Sequence, residues 1–145
     1  MSECVRYPAP GCVVEYMEGN AVQIAMVTEE AGGRLRLLLP NRRETRLNAS
    51  RLLPWLGPQQ AAGLSREEAV RLLETHREAR EAAAAAVPLM DAWELAQGEV
   101  ESAPAPWFAE LFASAPDVDA VAAWGRALLA CKSHFRFQPP EFQVF

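Results

Sequence analysis

The sequence predicts an α+β chain in which a small barrel of short strands precedes a mainly helical region that ends in a β-hairpin. Three observations carry this. Apolar and polar residues alternate in four short runs between Gly11 and Trp55, the apolar spacing lengthens to a helical one from Leu64 onward, and alternation returns after Ala130 around Pro139-Pro140. The expected division is a barrel over 1–58 and a helical, winged-helix-like part over 59–145, joined through the breaker-rich stretch Trp55-Leu56-Gly57-Pro58-Gln59-Gln60.

The strands follow from period and punctuation. Cys12 to Met17, Ala21 to Thr28, Arg34 to Leu39 and Glu44 to Leu47 are separated by turn signals at Glu18-Gly19-Asn20, Ala31-Gly32-Gly33 and Pro40-Asn41, a spacing that suits an antiparallel meander. In the third run Leu35, Leu37 and Leu39 fall on one face and Arg34 and Arg36 on the other, because successive strand side chains alternate. Arg46 follows the same logic with Leu47 turned inward. Strands this few and short cannot cover both faces of an open sheet, so curling buries the inner one, and Ala49 to Leu53 is expected as the closing turn.

Helix signals begin at Ser65, which with Glu68 three residues later makes a capping box. Leu64, Ala69, Leu72, Leu73 and His76 fall near one stripe of that helix, and Ala82 to Ala86 extend it with high propensity but little apolar area. Val87-Pro88 ends it. Leu89, Trp93, Leu95 and Ala96 define a second helix closed by Gly98, and Trp107, Phe108, Leu111 and Phe112 a third, entered through Pro104 and Pro106. The fourth runs from about Asp117 to Ala130, with Asp117 and Asp119 in the turn where the helix dipole favours acid. Ser133 to Gln138 and Glu141 to Phe145 then read as two strands, and helices followed by a hairpin are the order of a winged-helix unit. The last strand runs to Phe145 without a polar tail, which predicts an N-terminal piece of a longer protein.

Charge is divided unevenly. Residues 34–51 hold six arginines and one acid, Glu44, a local net of +5, whereas residues 59–145 hold seven basic and thirteen acidic residues, a net of −6. The overall −5 conceals one basic patch that can track a phosphate backbone locally. The same arginines also fit a plain solvated outer face. No run of about 18 apolar residues exists, and the start Met1-Ser2-Glu3-Cys4-Val5-Arg6 lacks the apolar core of a signal peptide, so a cytoplasmic protein away from membranes is expected. Cys4, Cys12 and Cys131 are odd in number and lack Cys-x-x-Cys spacing, which argues against a disulfide framework or a zinc ribbon and for buried packing of Cys12 and Cys131.

Catalytic patterns are missing. Two-metal hydrolysis needs carboxylates converging on ions about 3.5–4 Å apart, and the one suggestive pair, Asp117-x-Asp119, lies on a helix whose residues two apart point in different directions. His76 and His134 have no spacing signature around them, and Gly32-Gly33 joins two strands without the helix a phosphate loop requires.

The parts and their order carry a resemblance. Pro10-Gly11-Cys12-Val13-Val14-Glu15-Tyr16, then Ile24-Ala25-Met26-Val27, then Ser50-Arg51-Leu52-Leu53-Pro54, then helices ending Leu128-Leu129, His134-Phe135-Arg136-Phe137 and Pro139-Pro140-Glu141-Phe142, resemble the N-terminal region of one branch of the ribonuclease II (RNB) exoribonuclease family. That branch has an SH3-like barrel and a winged-helix domain in place of paired cold-shock domains, and the resemblance covers essentially the whole chain. It implies an intact hydrolase that degrades single-stranded RNA from its 3′ end with a divalent metal, Mg, held in a catalytic domain absent from this chain. The fragment itself is then non-enzymatic and carries no cofactor, and its partners are single-stranded RNA and the downstream catalytic domain.

In that setting Arg34, Arg36, Arg42, Arg43 and Arg46 would give the barrel a positive face for RNA phosphates, with Tyr16 or Trp55 stacking a base. Both rings equally fit the core or the barrel seam. The alternative is a protein-interaction module without nucleic-acid affinity, favoured by the acidic helical part. Reading of a DNA groove is disfavoured because the helix from Asp117 to Ala130 has only Arg126 and the hairpin adds only Lys132 and Arg136.

Overall fold

The computed structural model describes residues 7–60 and 63–145 and shows a mixed α+β chain. The chain divides into two compact units, Met1–Thr75 and His76–Phe145. The division falls inside a helix, so the first turns of that helix belong with the strands.

In the first unit β1 (Val13–Glu18), β2 (Ala21–Ala31), β3 (Arg34–Leu38) and β4 (Glu44–Asn48) form an antiparallel sheet in sequence order. The β2–β3 turn needs two glycines, because Gly32 and Gly33 both have positive φ (59° and 89°), the backbone twist of a tight hairpin. A Cβ on Gly33 would also stand 2.9 Å from the Tyr7 ring. After a 3-10 turn at Ala49–Arg51, the chain returns along β1, with Tyr16 bridged to Leu52 and Cys12 to Gln59. The Leu53 amide donates to the Glu15 carbonyl, and the Gly57 amide to that of Val13. This return covers the otherwise open β1 edge.

Strand alternation gives the sheet two buried faces. Cys12, Val14, Tyr16, Ala25, Val27, Leu35, Leu37 and Leu47 pack together on the inside. Val13, Ile24, Met26 and Leu38 point the other way and meet Ala69, Val70 and Leu73 of α1 (Arg66–Ala86). Fully burying one such aliphatic side chain contributes about 1.5–3 kcal/mol, enough to fix the helix on that face. The capping box forms as expected: the Glu68 amide donates to Ser65 Oγ and the Ser65 amide to Glu68 Oε1, both at 3.1 Å.

The second unit contains the rest of α1, α2 (Leu89–Ala96), β5 (Ser102–Ala103), α3 (Ala105–Glu110), α4 (Val118–Ala130), β6 (Phe135–Gln138) and β7 (Glu141–Val144). Its small sheet has the order β5-β7-β6, all antiparallel. β5, which the sequence pattern does not reveal, pairs Ser102 with Gln143 and Ala103 with Phe142. Phe108, Phe135 and Phe142 are fully buried, and Phe108 meets Phe135 edge to face at 5.7 Å. The small residues Ala122, Ala123, Gly125 and Ala127 let α4 approach its neighbours closely, and Asp117 caps it by accepting from the Ala120 amide at 2.8 Å. Cys12 is buried as expected, Cys131 is only half-buried, and Cys4 lies outside the described residues. Among the described residues no helix is long and apolar enough to cross a membrane.

Candidate nucleic-acid interface

Register brings three of the five expected arginines together. Arg36 of β3 lies directly across from Arg46 of β4, so their side chains share the face opposite Leu35 and Leu37, and Arg34 joins them one pleat along. On the other side of β3 a bulge between Val27 and Glu29 inserts an extra residue into β2. Thr28 is that residue, and its hydroxyl donates to the Arg36 carbonyl at 3.1 Å. Beyond it the parity of β2 is switched, and Glu29 faces Arg36 with Oε2 3.0 Å from Nη1. Glu29, Ala31, Arg34, Leu35, Arg36 and Arg46 line a shallow depression of about 210 Å³. A second, of about 500 Å³, is shared by Arg36, Glu44, Thr45 and Arg46.

Arg42 and Arg43 occupy a different place. They sit in the β3–β4 turn, where Arg42 has a positive φ of 70° and the Arg43 amide donates to Asn41 Oδ1 at 2.9 Å. The Arg42 guanidinium grips Glu67 in the first turn of α1 through Nε at 2.9 Å and Nη2 at 2.5 Å. That hydrogen bond, reinforced by the opposite charge, holds the Arg42 pKa above its ordinary value and is the main reason the Glu67 carboxyl lies below its own. Glu44 pairs in turn with Arg66 at 2.7 Å. Arg42 is therefore engaged with the helix, while Arg34, Arg43 and Arg46 have no carboxylate within salt-bridge distance among the described residues.

Tyr16 and Trp55 do not offer faces for stacking. Each is only 4% exposed. Trp55 Nε1 donates to Glu15 Oε1 at 2.7 Å, and Glu15 is itself fully buried. Tyr16 packs inside the sheet, and burial, with help from Glu18 and against Arg51, pushes its hydroxyl pKa up. The expectation that either ring stacks a base is corrected: both belong to the core and the seam along β1.

The second unit holds a charged cluster that sequence reading passes over. Both oxygens of Asp119 lie 3.0 Å from His76 Nδ1, and Arg80 Nε donates to Asp119 Oδ1 at 2.8 Å. Burial alone would raise the Asp119 carboxyl, but the hydrogen bonds and charges of Arg80 and His76 outweigh it and hold the pKa below the ordinary value. Arg80 is fully buried. A signal for it existed, because Ala69, Leu73, His76 and Arg80 continue one stripe at helical spacing. The His134 and Trp93 rings meet at right angles with centroids 5.0 Å apart, and Ser133 Oγ and Cys131 Sγ lie 2.7 Å and 3.9 Å from His134 Nδ1. Among the described residues no group of three or more His, Cys, Asp or Glu is placed to hold a metal ion.

No protein-family model, no curated protein and no solved structure matches this chain.

Proposed function

We propose that this chain is an accessory region that steers single-stranded RNA, built as an SH3-like barrel followed by a winged-helix unit, as in the non-catalytic N-terminal part of a ribonuclease II-type exoribonuclease. The observation that carries the RNA reading is the direct cross-strand pairing of Arg36 with Arg46, with Arg34 beside them. Like charges placed opposite one another destabilise a sheet. A polyanion that bridges them offsets that cost, and planar guanidinium groups suit phosphate oxygens. The strand order β5-β7-β6, with β5 between α2 and α3, supports the winged-helix part of the reading. The return of residues 52–60 along β1 supports the barrel.

With Arg42 engaged by Glu67 and both aromatic rings buried, the proposed contact set contracts to Arg34, Arg36 and Arg46, with Arg43 at the turn. Three phosphates engaged by such a set give a slope of log affinity against log salt of about −2. Titration of a short fluorescent oligouridylate against salt measures it. The Arg36→Ala, Arg46→Ala double variant is expected to lose at least about tenfold in affinity and to flatten the slope by about 1.4, and binding that is absent at low salt or insensitive to salt would refute the reading.

A second reading, docking on protein, is favoured by Phe112, which stacks on Trp124 at 5.5 Å yet remains 42% exposed. It expects no oligonucleotide binding at any salt concentration.

A further inference from the structure

We infer that Glu29 competes with RNA phosphate for Arg36 and so sets the affinity and salt response of the basic face. This rests on the single-stranded RNA reading and deepens it. Without the bulge at Thr28, Glu29 would pair with Leu35 and turn to the opposite face of the sheet, away from Arg36. The bulge instead delivers it to the outer face, where Oε2 stands 3.0 Å from Arg36 Nη1. A carboxylate and a phosphate accept from the same kind of guanidinium donor, so a phosphate that takes Nη1 must displace Glu29 from it.

The rest of the face makes displacement possible. The Arg36 and Glu29 side chains are 37% and 63% exposed, and an ion pair in that much water is weak. Glu44, the other acid beside the face, pairs with Arg66 at 2.7 Å and with none of the three arginines. Among the described residues no carboxylate pairs with Arg34 or Arg46, so phosphates meet them directly and reach Arg36 when Glu29 swings into solvent. A polynucleotide gains from this arrangement more than a single phosphate does, because contacts at Arg34 and Arg46 raise its local concentration at the occupied arginine. Glu29 therefore discriminates chains of phosphates from isolated ones.

The test uses the full chain, a short fluorescent oligouridylate and a salt titration. Glu29→Gln is compared with Glu18→Gln, which makes the same charge change at an exposed carboxylate that contacts none of the three arginines. Glu29→Ala serves as a second route to the same loss of charge, and circular dichroism melts verify that each variant is folded. Glu29→Gln is expected to bind about threefold more tightly than Glu18→Gln, with the advantage shrinking as salt is raised. The gain should vanish when both substitutions are repeated on Arg36→Ala. If the wild type binds and the two glutamine variants are equal, the competition is refuted and the RNA reading survives. If neither wild type nor Glu29→Gln binds at low salt, both fall.

Discussion

Arg36 and Arg80 each face a carboxylate, at 3.0 and 2.8 Å, yet their side chains are 37% and 0% exposed. Distance hardly separates the two contacts; solvent does. Near water a pair at this spacing is worth at most about 1 kcal/mol, and an outside anion competes for the arginine on nearly equal terms. In the second unit the Arg80 guanidinium has already been taken out of water, so water cannot stand in for the Asp119 carboxylate if it is lost. The strand unit thus displays Arg36, and the helical unit packs Arg80 inside. A count of arginines cannot tell the two uses apart, but burial can.

Removing the carboxylate in each region tests this contrast most sharply. Asp119→Ala takes an acceptor from both Arg80 and His76 and is expected to cost about 3 kcal/mol, with oligonucleotide binding unchanged. Glu29→Ala should alter stability by less than about 0.5 kcal/mol while it changes binding. Equal stability losses in urea titrations would break the contrast. Acid separates the regions in the same way. Burial works against ionisation of Asp119, but Arg80 and His76 hold its carboxyl below the ordinary value of 3.8. A carboxyl depressed in the fold contributes stability that is present in full above its unfolded value of about 4 and is lost as pH falls through its folded value. Wild type should therefore lose stability below about pH 4 more steeply than Asp119→Ala, and parallel pH profiles would show that Asp119 is not part of the acid response.

Of the fold, the elements with a long enough period were legible. Alternation in β1 to β4 and the helical stripe of α1 each run over several residues that face a core, and the structure places them within a few residues of the expected limits. β5 was not legible, because two residues between Glu101 and Pro104 cannot display a period. The Thr28 bulge was hidden for a related reason: the residues beyond it still alternate, and only pairing with β3 shows which way Glu29 points. Of the candidate site, Arg34, Arg36 and Arg46 followed from parity alone. The engagement of Arg42 by Glu67 and the burial of Trp55 on Glu15 did not, since they join residues 25 and 40 positions apart through tertiary contacts.

Between these extremes lies the start of α1, where exposed groups are held by local geometry rather than by burial. Glu68 adds nothing to the core, but the Ser65 amide and, less strongly, its hydroxyl partnership hold the Glu68 carboxyl below its ordinary pKa. Ser65→Ala removes the acceptor for the Glu68 amide and is expected to cost about 1 kcal/mol, read from the shift in a urea midpoint at constant slope. No change at all would mean that packing of Ala69, Val70 and Leu73 alone sets where the helix begins.

The smallest effect is expected at Arg42, and it sharpens the contrast because it concerns a bidentate pair of good geometry. Its two hydrogen bonds to Glu67 would be strong in a dry interior, but the Arg42 and Glu67 side chains are 56% and 60% exposed. Water and salt then compete for both groups, and an exposed pair of this kind contributes little to stability. Arg42→Ala should shift the urea midpoint by less than Ser65→Ala does, with the loss shrinking as salt is raised. Oligonucleotide affinity should be nearly unchanged, since an arginine that points at α1 and is offset by Glu67 adds little to the face formed by Arg34, Arg36 and Arg46. A loss of affinity as large as that of Arg46→Ala would place Arg42 on the RNA path and require the Glu67 pair to open when RNA binds.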